Sequence, residues 1–334
     1  MWFWILGWVL MDRGVHDLHP LWQRLRGGWA SGSLAREFRS AALTTRTLRE
    51  MLESGVLPSP EDWKSVARFP VPWGALLSSV LADLRAQGSP VLPTLRRVEE
   101  SLIAQADGLL EARARSAQAL GQALLGVGLV PLFGAVLGWL MPGMDASDSD
   151  FALWVSAGSV YASFSAVWIL NLSEEARFGG LPPNRRTWLF SVPAALERIL
   201  SLISGGLPPD LAWKKCHEEL CLRDPGLAHL WGTDLWEASA PISSAESGPI
   251  QNLVAGTGME VKKTIQLALL EGRSSRDRLE SLARGFQKDL QLRVRERLET
   301  LPQRCLKPLF LFVFPPVFIL LAVAVLQAFQ ELES

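Results

Sequence analysis

The sequence predicts an all-α membrane protein: two related cytoplasmic helical bundles joined by a transmembrane helical hairpin, with a C-terminal transmembrane helix. Three observations carry this. No Asp, Glu, Lys or Arg occurs between Arg115 and Asp145, between Asp150 and Glu174, or from Pro308 to Gln330. Each charge-free run reaches the roughly 20 residues that a helix needs to cross a hydrocarbon core about 30 Å thick. The two basic segments flanking the hairpin repeat one another, and no strand-like alternation of useful length interrupts the helical spacing.

The chain divides into an apolar N-terminal anchor (1–11), a first bundle (12–115), the hairpin (116–173), a second bundle (174–307) and the last span (308–330). As a helix, the anchor reaches only about 15 Å. It lacks the basic start and small-residue cleavage site of a signal peptide, so it is expected to lie in the interface or to insert halfway. The alternative is a fourth span, lengthened by residues upstream.

The repeat is clearest at one corner. Leu52, Ser54, Gly55, Leu57, Pro58, Trp63 and Lys64 return as Leu202, Ser204, Gly205, Leu207, Pro208, Trp213 and Lys214, at a constant offset of 150. Gly55 and Gly205 are each expected to end a helix in the left-handed conformation, with Pro near the start of the next. A second corner follows at Gly88 and at Gly272. Beyond each lies a long amphipathic helix, with stripes of Leu95, Val98, Leu102, Ala106 and Leu109 in one copy. The other copy has Leu279, Leu282, Phe286, Leu290, Val294, Leu298 and Leu301. The second copy also carries an insertion around Cys221 to Glu260, with an exposed loop expected from Ala238 to Pro249.

Within the hairpin, Gly134 and Gly138 form a GxxxG pair, and Gly158, Ala162 and Ala166 set small residues at helical spacing on the facing span. Such residues let backbones approach where lipid supplies no hydrophobic drive. Every Lys and Arg lies either in Arg13 to Arg115 or in Arg177 to Lys307. The positive-inside rule then puts both large segments in the cytoplasm, and the acidic link with Asp145, Asp148 and Asp150 outside. Trp139, Trp154 and Trp168 fall where interfacial anchors are expected. The three cysteines, Cys216, Cys221 and Cys305, are on the reducing side, so no disulfide framework is expected.

Chemistry is not expected. His16 and His19 beside Asp17, and Cys216, His217 and Cys221, form no complete metal-ligand set. Gly256, Gly258, Lys263 and Thr264 resemble a phosphate loop only faintly, since Lys262 stands where its last glycine belongs. A net charge of −1 gives no reason to expect nucleic acid. The spans lack the ionisable groups of pumps and intramembrane proteases. No catalytic residue, cofactor or metal is predicted.

The corner Ser204, Gly205, Gly206, Leu207, Pro208, with the run from Leu279 to Phe310 that includes Leu301, Pro302, Lys307, Pro308 and Leu309, resembles the inner-membrane platform proteins of type II secretion, type IV pilus and tight-adherence systems. The region Leu84 to Gly143 resembles the end of the first tight-adherence platform subunit, so the chain looks like two half-subunits in one polypeptide. Gln87 departs from the acidic residue that many relatives carry before the second corner. The resemblance implies a non-enzymatic platform in the bacterial inner membrane, coupling a cytoplasmic secretion ATPase to pilin-like subunits, with a homo-oligomer expected. Arg284 and Arg295, on the exposed side of the second long helix, are the candidate ATPase contacts. The competing readings are a membrane-anchored scaffold unrelated to pili and a small-solute transporter. Against the transporter, the two copies share one orientation and most of the mass lies outside the spans.

Overall fold

The computed structural model describes residues 33–56, 58–66, 69–70, 72–87, 91–140, 149–236, 248–272 and 274–333. The N-terminal anchor, His16 and His19, Gly88, Asp145, Asp148 and nearly all of the loop expected at Ala238 to Pro249 lie outside these residues. The described residues are helical, with no strand among them. In order they form α1 (33–53), α2 (Pro60–Val66), α3 (Trp73–Gln87), α4 (Leu92–Leu140), α5 (Ser149–Arg177), α6 (Trp188–Ser204), α7 (Pro209–Arg223), α8 (Pro225–Trp231), α9 (Pro249–Glu271), α10 (Arg276–Glu299), α11 (Leu301–Phe312) and α12 (Phe314–Glu333).

Three stretches are helical, long and apolar enough to cross a membrane: Leu92–Leu140, Phe151–Arg177 and Arg276–Leu326. The chain separates into two compact units. One holds Ala112–Arg177 and the chain from Glu296 onward, and the other holds Ala30–Glu111 with Phe178–Arg295. Most of each basic segment, Ala30–Glu111 and Phe178–Arg295, therefore falls in a single unit.

In the first unit Gly126, Gly134, Gly158 and Ala162 are buried, while many large apolar side chains are exposed. Ala162 is fully buried, together with Val130, Phe151, Val313, Leu320 and Ala324. A Cβ at Gly134 would lie 2.7 Å from Val155 Cγ2, and one at Gly158 would lie 3.1 Å from Pro316 Cβ and 3.2 Å from Val130 Cγ1. Gly138 and Ala166 are only half-buried. Gly126, not singled out in the sequence, is the tightest of these positions, with a Cβ there 2.5 Å from Leu309 Cδ2. Outside this core, Leu125, Leu132 and Trp139 are exposed apolar side chains. Arg177 closes the hairpin's base by donating from Nε to Ser116 Oγ at 2.7 Å, with both side chains buried.

The second unit has two cores. One gathers Phe38, Leu48, Trp73 and Leu77 with the α4 stripe Leu95, Val98, Leu102, Ala106 and Leu109. The other gathers Leu196, Ile199, Trp213, Trp231, Val254, Leu279 and Phe286. Helix α6 belongs to both, because Ala194 joins the first core and Phe190 packs against each. All residues from Ser191 to Leu202 are buried, so α6 is enclosed on every side. The insertion after Cys221 also enters the core. Trp231 of α8 stacks on Trp213 at 5.9 Å and donates to the Val254 carbonyl at 3.1 Å. The glycines that resemble a phosphate loop sit inside α9, where a Cβ at Gly258 would lie 2.5 Å from the Trp231 ring. Packing accounts for that glycine.

Both first corners end their helix with the paired bonds of a Schellman turn. Val56 N donates to the Met51 carbonyl and Gly55 N to that of Leu52; Leu207 N donates to Leu202 and Gly206 N to Ile203. The left-handed residues are thus Gly55 (φ 78) and Gly206 (φ 86), not Gly205, which has φ −76 and ψ 0. The turn in the second copy sits one residue later than the sequence offset implies, because Gly205 extends the first helix. Gly272 caps α9 at φ 65. No atom lies within 4 Å of a Cβ at Gly206, so a substitution there costs backbone strain alone. Gly206→Val is expected to lower stability by about 1–2 kcal/mol, while Gly205→Ala leaves it nearly unchanged. Thermal unfolding of the two variants checks this, and equal losses would remove the assigned turn.

Candidate functional site

Glu197 and Arg198 are the only charged residues between Arg186 and Asp210, and they sit in the middle of the enclosed helix α6. Buried charges at such a position need partners, since desolvation alone would cost several kcal/mol per ion, as an order of magnitude. Both find them on elements of the first segment. Arg97 of α4 donates from Nε to Glu197 Oε2 at 3.1 Å. Arg198 donates from NH2 to Asp83 Oδ2 of α3 at 2.6 Å, and from Nε to Glu219 Oε1 of α7 at 3.0 Å. Lys215 Nζ completes the group at 2.8 Å from Asp83 Oδ1. Arg198 is thereby a bridge between the two copies of the repeat, with its side chain 1% exposed.

The remaining guanidinium nitrogen, NH1, has no protein partner among the described residues. Arg198 lines a cavity of about 20 Å³ with Ser191, Cys216 and Glu219, large enough for one water molecule. Burial is the largest influence on Asp83 and pushes its carboxyl up. The hydrogen bonds and charges of Lys215 and Arg198 together outweigh it and hold the carboxyl below its ordinary range. At Glu197 the balance reverses: burial pushes the carboxyl up, and Arg97 only partly offsets it.

These opposite directions give opposite pH behaviour. The stability tied to Asp83 is present above the unfolded carboxylate range and is lost as pH falls through its depressed folded value. The contribution of Glu197 is fully present below its unfolded value and is lost as pH rises through its raised folded value. Glu197→Gln keeps an oxygen that can accept from Arg97 and removes the titration. We expect the variant to lose the part of the stability decline that the wild type shows on going from mildly acidic to neutral pH. Melting temperatures across that range test it, and an unchanged slope would contradict the burial assigned to Glu197.

Other cross-copy contacts surround the bridge. Gln287 of α10 donates to Ser101 Oγ of α4 at 2.7 Å, and Arg295 NH2 lies 2.8 Å from Glu111 Oε1. The two candidate partner arginines therefore differ. Arg284 is exposed, whereas Arg295 is engaged within the unit, and reversing its charge would oppose Glu111. Nothing draws Cys216 and Cys221 together. Cys216 is buried, and burial pushes its thiol up to about 12. Cys221 is exposed, with Sγ 3.4 Å from His217 Nδ1. His217 Nε2 faces the Ala228 carbonyl at 3.1 Å and must be its protonated nitrogen, because a carbonyl only accepts. Among the described residues, no group of three or more His, Cys, Asp and Glu is placed to hold a metal ion.

The ion bridge had a signal in the sequence: two adjacent charges in an otherwise apolar helix. Its partners had none, since Asp83 and Arg97 resemble any solvated helix face. No family model matches the chain, and neither does any curated protein or solved structure.

Proposed function

We propose that the protein is a non-enzymatic platform in the bacterial inner membrane, which transmits movement from a cytoplasmic secretion ATPase to pilin-like subunits held in the bilayer. The observation that carries this reading is α4. It runs for 49 residues without a break, about 73 Å at helical rise, with its first turns in the core of the second unit and, from Ser116 onward, a charge-free stretch long and apolar enough to cross a membrane. From α10 to α12 the chain is similar, with only Thr300 and Val313 between successive helices. Residues of this one helix, α4, fall in both units, as a part that passes movement along the chain would require. The confinement of Lys and Arg to Arg13–Arg115 and Arg177–Lys307, outside the charge-free runs, supports placing these two segments in the cytoplasm. The resemblance at the glycine corners and at Leu301 to Phe310 supports the secretion setting.

The test is co-purification of the full chain, in mild detergent, with a candidate secretion ATPase from the same genome. Recovery of the complex is expected, weakened by Arg284→Glu, an exposed position where the reversal leaves the fold intact. Undiminished recovery with that variant at low and physiological salt would remove this helix face from the interface. Failure to recover the ATPase at all, or a cytoplasmic reporter signal from a fusion near Ala146, would overturn the platform reading in favour of an unrelated membrane scaffold.

A further inference from the structure

Within the second unit, a cleft of about 540 Å³ opens between the start of α6, the α7–α8 junction and α9. Its lining brings together Arg185, Arg223 and His229, with Gln251 and Trp188. Its carboxylate, Asp224, is already fully employed. Its two oxygens accept from Thr187 Oγ1 at 3.0 Å, Trp188 Nε1 at 3.1 Å, Ser191 Oγ at 3.0 Å and Leu227 N at 3.2 Å. Those four bonds fix the wall of the cleft and occupy the carboxylate's oxygens, and among the described residues neither oxygen pairs with Arg185 or Arg223.

The cations are held differently. Arg185 donates from NH1 to Gln251 Oε1 at 2.8 Å and lies 5.2 Å over the Trp188 ring, so its guanidinium is oriented while most of its donors stay available. Arg223 is exposed at the end of α7, and no ion pair among the described residues involves either arginine. One oriented guanidinium, one guanidinium with no ion pair among the described residues and an imidazole lining one cleft match a tetrahedral oxyanion, which arginine's planar fork engages through paired charge-assisted hydrogen bonds.

We propose that this cleft binds a phosphate-bearing anion, either the headgroup of an acidic phospholipid or a soluble phosphate. The site stands apart from the platform reading, since it depends on no ATPase, pilin or direction of insertion.

The experiment uses the full chain in a neutral detergent, with melting temperature and native mass spectrometry as readouts. One arm titrates dioleoyl phosphatidylglycerol in mixed micelles against phosphatidylcholine; the other titrates inorganic phosphate. Arg185→Gln/Arg223→Gln is compared with the wild type and with the charge-matched Lys288→Gln/Arg293→Gln, which alters exposed positions on α10. We expect at least one arm to stabilise the wild type, with apparent affinity falling about tenfold or more in the cleft variant and unchanged in the control. A loss confined to the phosphatidylglycerol arm assigns a headgroup, and a loss in the phosphate arm assigns a soluble ligand. Arg223→Gln alone removes a side chain that makes no hydrogen bond or ion pair among the described residues, so it keeps the test valid if the double variant is poorly folded. Binding in neither arm, or equal binding by the cleft variants and the wild type, would overturn the proposal.

Discussion

Replacing Arg198 with methionine is expected to destabilise the second unit by about 3–5 kcal/mol, the range for removing one member of a buried ion group. The side chain is 1% exposed and neutralises carboxylates from two different helices. Methionine fills similar space but leaves Glu219, at 21% side-chain exposure, without its partner. Asp83 keeps Lys215, so the greater loss falls on the α6–α7 contact, and the α3–α6 contact loosens less. A double variant Arg198→Met/Glu219→Leu should recover part of the loss, because it removes the orphaned charge together with the cation. Denaturation in detergent of the single variants and the pair reads this as a coupling energy. If the double variant is no more stable than Arg198→Met, the carboxylate was not left uncompensated and the bridge is wrongly assigned.

The parts of the architecture legible in the sequence were those with a one-dimensional period. Charge-free runs marked the three helical stretches long and apolar enough to cross a membrane, and the spacing of Leu95, Val98, Leu102, Ala106 and Leu109 marked the buried face of α4, because burial repeats with the helical turn. Contacts between distant segments left no such trace. The pairing of Arg198 with Asp83 joins residues of ordinary surface chemistry, and only the apolar surroundings of Arg198 hinted that it needed a partner. The corner at Gly205 shows a subtler limit. Two consecutive glycines permit the left-handed turn at either, and the hydrogen bonds from Gly206 and Leu207 decide it. Likewise Leu137, which by composition resembles any lipid-facing leucine, packs against the core of the first unit, while Leu132 faces outward.

The second large effect is expected at Gly134, where leucine should disrupt the packing of α4 against α5. Even the first added carbon would lie 2.7 and 2.9 Å from the two methyl carbons of Val155, closer than van der Waals contact allows. Relief requires either a shift of the valine in a filled core or separation of the two backbones. Overpacking of this kind costs about 1–3 kcal/mol, and separation would also weaken the small-residue contacts at Gly158 and Ala162. Gly158→Leu should act in the same direction, since its Cβ contacts of 3.1 and 3.2 Å are tight but less severe. The appropriate comparison is Leu132→Ala, at an exposed position, where little change is expected. The amount of folded protein recovered in detergent and its melting temperature measure all three. Val155→Ala, introduced with Gly134→Leu, opens space at the point of collision and should restore part of the loss. If that pair recovers nothing over Gly134→Leu alone, the close approach of Gly134 to Val155 does not hold these helices together.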